Sequence, residues 1–337
     1  MFKIKKYKVY RMKKILIMLM SCNDVFFNQE EDICKQTWLS NISKFNNIKY
    51  VIYKGDENIL KHKYQKGIHT LTLRCEDDLD HTFKKTYYAF KLADKIFDYD
   101  YIFRTNTSNY VNIELLNYFI QHIEDDNVVW SSDLYSLSNS FCPYPLYIYG
   151  RGNGVIYSRK HIDIILKEGI SFLYLKKTCD DWIIGNILNS YWIKEGKDYL
   201  DYIKGYPHGW YKCIPNEDVI NNHKLCKYGN MNSDWDFINK FITIQIKVYH
   251  DDRNKELNNY KEFYNNVKNK EYTEEEIKKI YDYIIEYSKS PSVFIGSILG
   301  YADYNEWKNC NKMNLYNYQI QHKASDDEEC GKMTKWL

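Results

Sequence analysis

Proline and glycine are scarce in this chain, at 5 and 14 of 337 residues. That scarcity excludes collagen-like and Gly/Pro-rich disordered chains. Cys-x-x-Cys pairs are missing altogether. The nine cysteines (Cys22, Cys34, Cys75, Cys142, Cys179, Cys213, Cys226, Cys310 and Cys330) are scattered and odd in number. A structural zinc site needs clustered ligands and a disulfide framework an even set, so the spacing argues against both and for reduced thiols. No segment approaches the ~20 apolar residues of a membrane span. Arg11, Lys13 and Lys14 lead into the apolar residues 15–20 and imitate a signal peptide. The run is shorter than the ~7–15 residues of a typical signal core and ends at Ser21-Cys22-Asn23 without a small-x-small cleavage site, so it reads as a buried strand. An excess of either charge is also lacking. Forty-seven basic against 45 acidic residues leave +2, which removes the electrostatic footprint of a nucleic-acid binder.

What is abundant is aromatic. Thirty-four tyrosines stand in a composition 44% hydrophobic and 27% charged, an ordinary globular balance. Tyr, Lys, Asn and Ile share A/T-rich codons, so much of this bias reports genome composition. Strand-like runs alternate with helical periodicity, which predicts an α/β domain with a mostly parallel mixed sheet flanked by helices. Strands are expected over 14–20, 49–53, 70–74, 100–104, 127–131, 155–158 and 242–249, and helices over 30–45, 81–97 and 113–123. The long helix spaces Phe83, Tyr87, Phe90 and Ala93 on one face. Thr273-Glu274-Glu275-Glu276 is a capping box opening an amphipathic helix. The expected division is an α/β domain over 1–255 and a helical region over 256–337 that packs on it and ends in a frayed tail.

Five segments carry chemistry in order: Lys35-Gln36-Thr37-Trp38; Phe83-Lys84-Lys85-Thr86; residues 103–112, containing Arg104-Thr105-Asn106-Thr107-Ser108; Gly152-Asn153-Gly154-Val155-Ile156-Tyr157-Ser158; and Asp180-Asp181-Trp182-Ile183-Ile184-Gly185. Together they resemble the β-1,3-galactosyltransferase and Fringe-like glycosyltransferases, which have the GT-A fold. That pattern has a TW-containing helix, a lysine-threonine pair, a metal loop K-T-D-D-D-V-F-V-N, a G-x-G-Y-x-x-S segment on the acceptor side and E-D-V-x-x-G carrying the base. The likeness covers about residues 13–255. It implies an inverting transfer from a nucleotide sugar, a UDP-sugar, to a glycan or other hydroxyl acceptor, with Asp181 as catalytic base. From spacing alone, a carboxylate at a helix N-terminus reads first as a cap, and the family pattern reverses that order. Donor contacts are expected from Lys85, Arg104, Asn106, Ser108, Asp180 and Arg253, and acceptor contacts from Gly152, Gly154 and Trp182, while His250 resembles the late histidine of the family, at the diphosphate or its metal.

The sequence departs from that pattern at the metal loop. Asn106, Thr107 and Ser108 stand where three aspartates would be, and neutral oxygens hold Mn²⁺ or Mg²⁺ far more weakly than carboxylates. The literal D-x-D at Asp98-Tyr99-Asp100 precedes its strand, some ~15 Å from the ligand-binding edge by strand rise. Three alternatives stand: a metal-independent enzyme using Lys85, Arg104 or Arg253; a metal held through the diphosphate and His250; and a non-catalytic nucleotide-sugar- or carbohydrate-binding protein on the same scaffold. A family member without the usual membrane tether is expected in the cytoplasm, and in a host's cytoplasm if the A/T-type composition is that of a large DNA virus.

Overall fold

The computed structural model describes residues 11–132, 134–136, 148–175, 179–197, 199–206, 209–212, 242–247 and 271–289. Strand β1 (Ile15–Met20) lies at the centre of the main sheet. Ile15, Ile17 and Leu19 enter one hydrophobic core, whereas Leu16 and Met18 enter a second on the opposite face. A strand covered on both sides has no polar face to show, hence its unbroken apolar run.

Strands β2 (Ile48–Gly55) and β5 (Tyr101–Asn106) flank β1 in parallel. Outside β2 come β4 (Thr70–Leu73), parallel, and β3 (Lys63–Gln65), antiparallel. Outside β5 come the antiparallel β10 (Val155–Ser158), then β7 (Val129–Ser131) and β11 (Ile203–Gly205), giving the order β11-β7-β10-β5-β1-β2-β4-β3. This is the mostly parallel mixed sheet expected from the sequence. A second sheet joins β6 (Asn109–Val111), β13 (Thr243–Lys247) and β12 (Gly209–Lys212), and β8 (Leu134–Ser136) pairs with β9 (Ile148–Gly150).

Helices α1 (Val25–Gln36) and α3 (Ile113–Gln121) cover the first face. Helices α2 (Thr82–Ile96), α4 (Arg159–Glu168) and α5 (Asp180–Lys194) cover the second. The chain therefore leaves β1 toward β2 over one face and reaches β5 from the other. In open α/β sheets ligands bind at such a switch point, beyond the carboxyl ends of the strands, here β1 and β5.

The first helix departs from expectation at both ends. It starts five residues earlier because the Asp24 carboxylate accepts from the Phe26 N–H at 2.8 Å, an N-cap. It stops at Thr37, whose hydroxyl donates to the Ile33 carbonyl at 2.6 Å, and a 3₁₀ helix (Trp38–Lys44) continues with Trp38 fully buried. Helix α4, which hydrophobic periodicity did not reveal, starts with a capping box whose reciprocal partner is His161 in place of Glu or Gln. Helix α6 (Glu274–Lys289) begins at the expected capping box, the Thr273 N–H donating to Glu276 and the Glu276 N–H to Thr273. Its Ile280 and Ile284 complete the first core beside Phe119. Among the described residues no helix is long and apolar enough to cross a membrane.

Candidate active site

At the carboxyl edge, β5 ends in a tight turn through Thr107 and Ser108 that passes the chain to β6 in the second sheet. Gln245 pairs opposite Asn109 in antiparallel register, so β13 runs toward this turn. His250 and Arg253 follow β13 and lie outside the described residues.

Tyr101 and Phe103 point into the first core and Ile102 into the second. Alternation therefore sends Arg104 to the face of α2 and α5, where it is only 2% exposed. A buried guanidinium needs an anion and acceptors for its remaining N–H groups. Its Nη2 donates to Asp180 Oδ2 at 2.7 Å and its Nη1 to the Gly152 carbonyl at 2.7 Å. Asp180, likewise buried, also accepts from the Thr86 hydroxyl at 2.8 Å, and Thr86 Oγ1 lies 3.2 Å from the Tyr53 phenol oxygen. Residues 53, 86, 104 and 180 thus tie β2, α2, β5 and α5 together under the carboxyl edge.

Asp181, next along α5, is partly exposed and points differently. Its Oδ1 accepts from the Trp182 N–H at 2.8 Å and its Oδ2 from the Gly152 N–H at 3.2 Å. Burial and the neighbouring Asp180 carboxylate push its pKa up, while Arg104 and the two backbone donors pull it down, with a net rise. Asp181 also borders a cavity of about 10 Å³, room for about one water, with Tyr157, Gly150, Gly185 and Asn189 in its lining. The arrangement is an oriented carboxylate of raised proton affinity at the sheet edge, the requirement for a general base.

The other expected site residues fall in two groups. Lys85, 3% exposed, donates to the Ser21 carbonyl at 2.9 Å and to Asp77 Oδ1 at 2.8 Å. Asp77 in turn accepts from the Gly55 and Asn23 N–H groups at 2.9 and 2.7 Å. Lys85 therefore fastens the loops after β1, β2 and β4. Arg104 is similarly enclosed. Asn106, Ser108 and Trp182 are half-buried at the edge, and Asn106 Oδ1 has no hydrogen-bond partner among the described residues. Gly152 and Gly154 receive side chains of the protein itself. A Cβ at 152 would lie 1.8 Å from Arg104 Nη1, and one at 154 would lie 2.7 Å from the Tyr206 hydroxyl. Sequence reasoning quoted Thr86 without giving it a role; the signal was its place in the lysine-threonine pair.

For Mn²⁺ or Mg²⁺ the described residues do not fit. Among them no group of three or more His, Cys, Asp or Glu could hold a metal ion. Four carboxylates near this edge are ion-paired: Asp180 with Arg104, Asp77 with Lys85, Glu76 with Lys84, and buried Glu31 with Lys54. Thr107, at one of the missing aspartates, donates its hydroxyl to Glu30. Asp98 and Asp100 sit at the opposite edge, bound to Lys14 and, for Asp100, to Arg11.

No protein-family model matches the chain, and no curated protein matches it. Solved structures similar to it include a glycosyltransferase involved in the glycosylation of the major capsid of PBCV-1, with a TM-score of 0.43 and 8% identity over 74% of this chain and 99% of that one. The galactosyltransferase LgtC, in complex with donor and acceptor sugar analogs, gives a TM-score of 0.40 and 11% identity over 77% of this chain and 98% of its own. The inositol-1-phosphate CTP transferase from T. maritima gives 0.34 and 12%, over 53% and 83%. Likenesses at this level leave the family unassigned, and function rests on the residues at the sheet edge.

Proposed function

We propose that this protein is an inverting glycosyltransferase of the GT-A type that moves a sugar from a UDP-sugar to a hydroxyl of a glycan acceptor. The observation that carries this is Asp181: a partly exposed carboxylate at the carboxyl edge, oriented by the Trp182 and Gly152 amides, with its pKa raised by burial and by Asp180. The order of the five motif segments, similar to that of the Fringe-like enzymes, supports the same reading. The carboxyl edge beyond β1 and β5 is the proposed donor site, with Asn106 and Ser108 on it and His250 and Arg253 as diphosphate contacts.

In the proposed step the acceptor oxygen attacks the anomeric carbon opposite the diphosphate. The new C–O bond forms as the bond to phosphate breaks, the nucleoside diphosphate leaves with the electron pair, and Asp181 takes the hydroxyl proton. Raising the carboxylate pKa narrows its gap to the hydroxyl and so strengthens it as a base. The ion-paired carboxylates of the edge favour turnover without a divalent cation, the leaving charge being met by His250 and Arg253.

A thermal-shift screen with UDP-sugars tests donor binding, since a ligand of the native state raises its melting temperature. UDP release with acceptor, in the presence and absence of EDTA, tests the chemistry. Stabilisation by a UDP-sugar with EDTA-resistant release is expected, and Asp181→Asn should remove the release while keeping the stabilisation. No stabilisation by any nucleotide sugar would overturn the proposal. Stabilisation without release, over a broad acceptor panel, would leave the non-catalytic binding protein in its place.

A further inference from the structure

We infer that Arg104 is a positioning residue for Asp181, acting through Gly152 and Asp180, and is not a ligand of the donor diphosphate. The inference rests on the glycosyltransferase reading for its kinetic consequences and on geometry for its substance. Gly152 is held from both sides: its N–H donates to Asp181 Oδ2 at 3.2 Å, and its carbonyl accepts from Arg104 Nη1 at 2.7 Å. One fork of the same guanidinium thus fixes the residue that holds the base, while the other fixes Asp180, the base's neighbour on α5, at 2.7 Å. Only glycine permits this approach, because a Cβ at 152 would overlap Arg104 Nη1 at 1.8 Å. Arg104 is almost wholly enclosed, so a diphosphate could reach it only by displacing these contacts. A planar fork serving two acceptors in fixed directions is a geometry that lysine cannot reproduce.

The charged and titratable groups around Asp181 are Asp180 and Cys179 on its own segment, Arg104 on β5, Tyr157 on β10, and, farther in, Tyr53 on β2; Arg151 adjoins Gly152. Two of them act on the base with opposite sign. Asp180 raises its pKa and Arg104 lowers it. A positioning role therefore predicts opposite displacements of the acidic limb of the pH profile of kcat, which a purely structural role would not produce.

The experiment uses the full chain with Arg104→Lys, Gly152→Ala and Asp180→Asn, following UDP binding by calorimetry, kcat and KM for the donor, and the acidic limb. Arg104→Lys, which keeps the charge and loses the fork, is expected to lower kcat by about 100-fold, the loss typical of a displaced catalytic group, with UDP affinity unchanged. Gly152→Ala pushes the guanidinium away and should move the limb to higher pH; Asp180→Asn should move it to lower pH. Where Asp180→Asn does not fold, Gly152→Ala carries the sign. A titration of the Asp181 carboxyl by ¹³C NMR in the same variants reads the shifts without turnover. A tenfold loss of UDP affinity in Arg104→Lys, or limbs and ¹³C titrations that stay put in the folded variants, would overturn the inference. Failure of the glycosyltransferase proposal has a different signature: no UDP-sugar binding in the unmutated chain, with the ¹³C shifts still displaced.

Discussion

Asp180 and Asp181 are adjacent, chemically identical and at the same helix start, yet the same substitution should do opposite things to them. Asp180→Asn removes the anion facing a buried guanidinium and weakens the acceptor for Thr86, at 2.7 and 2.8 Å. Breaking one side of a buried ion pair costs about 3–5 kcal/mol. At roughly 2–4 °C per kcal/mol for domains of 150–250 residues, the melting temperature should fall by about 6–20 °C. Asp181→Asn acts in the other sense. The raised pKa of Asp181 means that its ionised form is disfavoured in the folded state, so at neutral pH a neutral isostere should leave the melting temperature equal or higher while abolishing transfer. Such a stability gain at the expense of activity is the mark of a strained functional group. Thermal melts of both variants at pH 7, beside UDP release, make the comparison. Equal melting temperatures for the two, or a destabilised Asp181→Asn that still turns over, would refute the division of labour between them.

Three further outcomes follow from the geometry. His161 is fully buried and neutral: burial depresses its pKa to about 4, and its Nε2–H donates to the Asn127 carbonyl at 2.9 Å. The unfolded chain takes up that proton below its ordinary value of 6.5 and the folded chain does not, so stability is lost as pH falls from about 6.5 to about 4, by roughly 3 kcal/mol at 1.36 kcal/mol per unit. Urea midpoints across that range should show the loss, and His161→Gln, which keeps a capping acceptor, should flatten it. Lys85→Met should lower stability by leaving Asp77 half-paired while UDP affinity stays within about twofold; a large affinity loss in a well-folded variant would return Lys85 to the donor site. Asn106→Asp with Ser108→Asp should create the anionic loop that the chain lacks, and Mn²⁺ should then raise its melting temperature where it does not raise that of the unmutated protein.

Much of the scaffold was legible in the sequence because its signals are local. The unbroken apolar run of β1 announced a doubly covered strand, the spacing of Phe83, Tyr87, Phe90 and Ala93 announced α2, and Thr273 with Glu276 marked the start of α6. Boundaries set by a competing side-chain bond were not legible: Asp24 and Thr37 decide the first helix through hydroxyl and carboxylate contacts that periodicity does not register. Helix α4 was missed because its reciprocal cap is a histidine. At the site, the place of Asp181 in the first turn of α5 was legible, but the hydrogen-bond partners of Lys85 and Arg104 were not. Their partners are 64 and 76 residues away for Ser21 and Asp180, and nothing in a linear pattern tells a cation facing an anionic ligand from one facing an internal carboxylate. Gly152 and Gly154 were expected at the acceptor, and the side-chain atoms that come nearest to them in the fold are those of Arg104 and Tyr206.

The seat of helix α6 bears on how the chain is made. Ile280 and Ile284 complete the core that Ile15, Ile17 and Leu19 begin, and Tyr281 donates to the His122 carbonyl across 159 residues of sequence. At about 5–20 residues per second of synthesis, the part of this core beside α3 that α6 closes waits roughly 10–30 s after α3 is made. The nascent protein therefore passes through a stage with one core closed under α2, α4 and α5 and the other open along α3, a stage in which chaperone protection matters most.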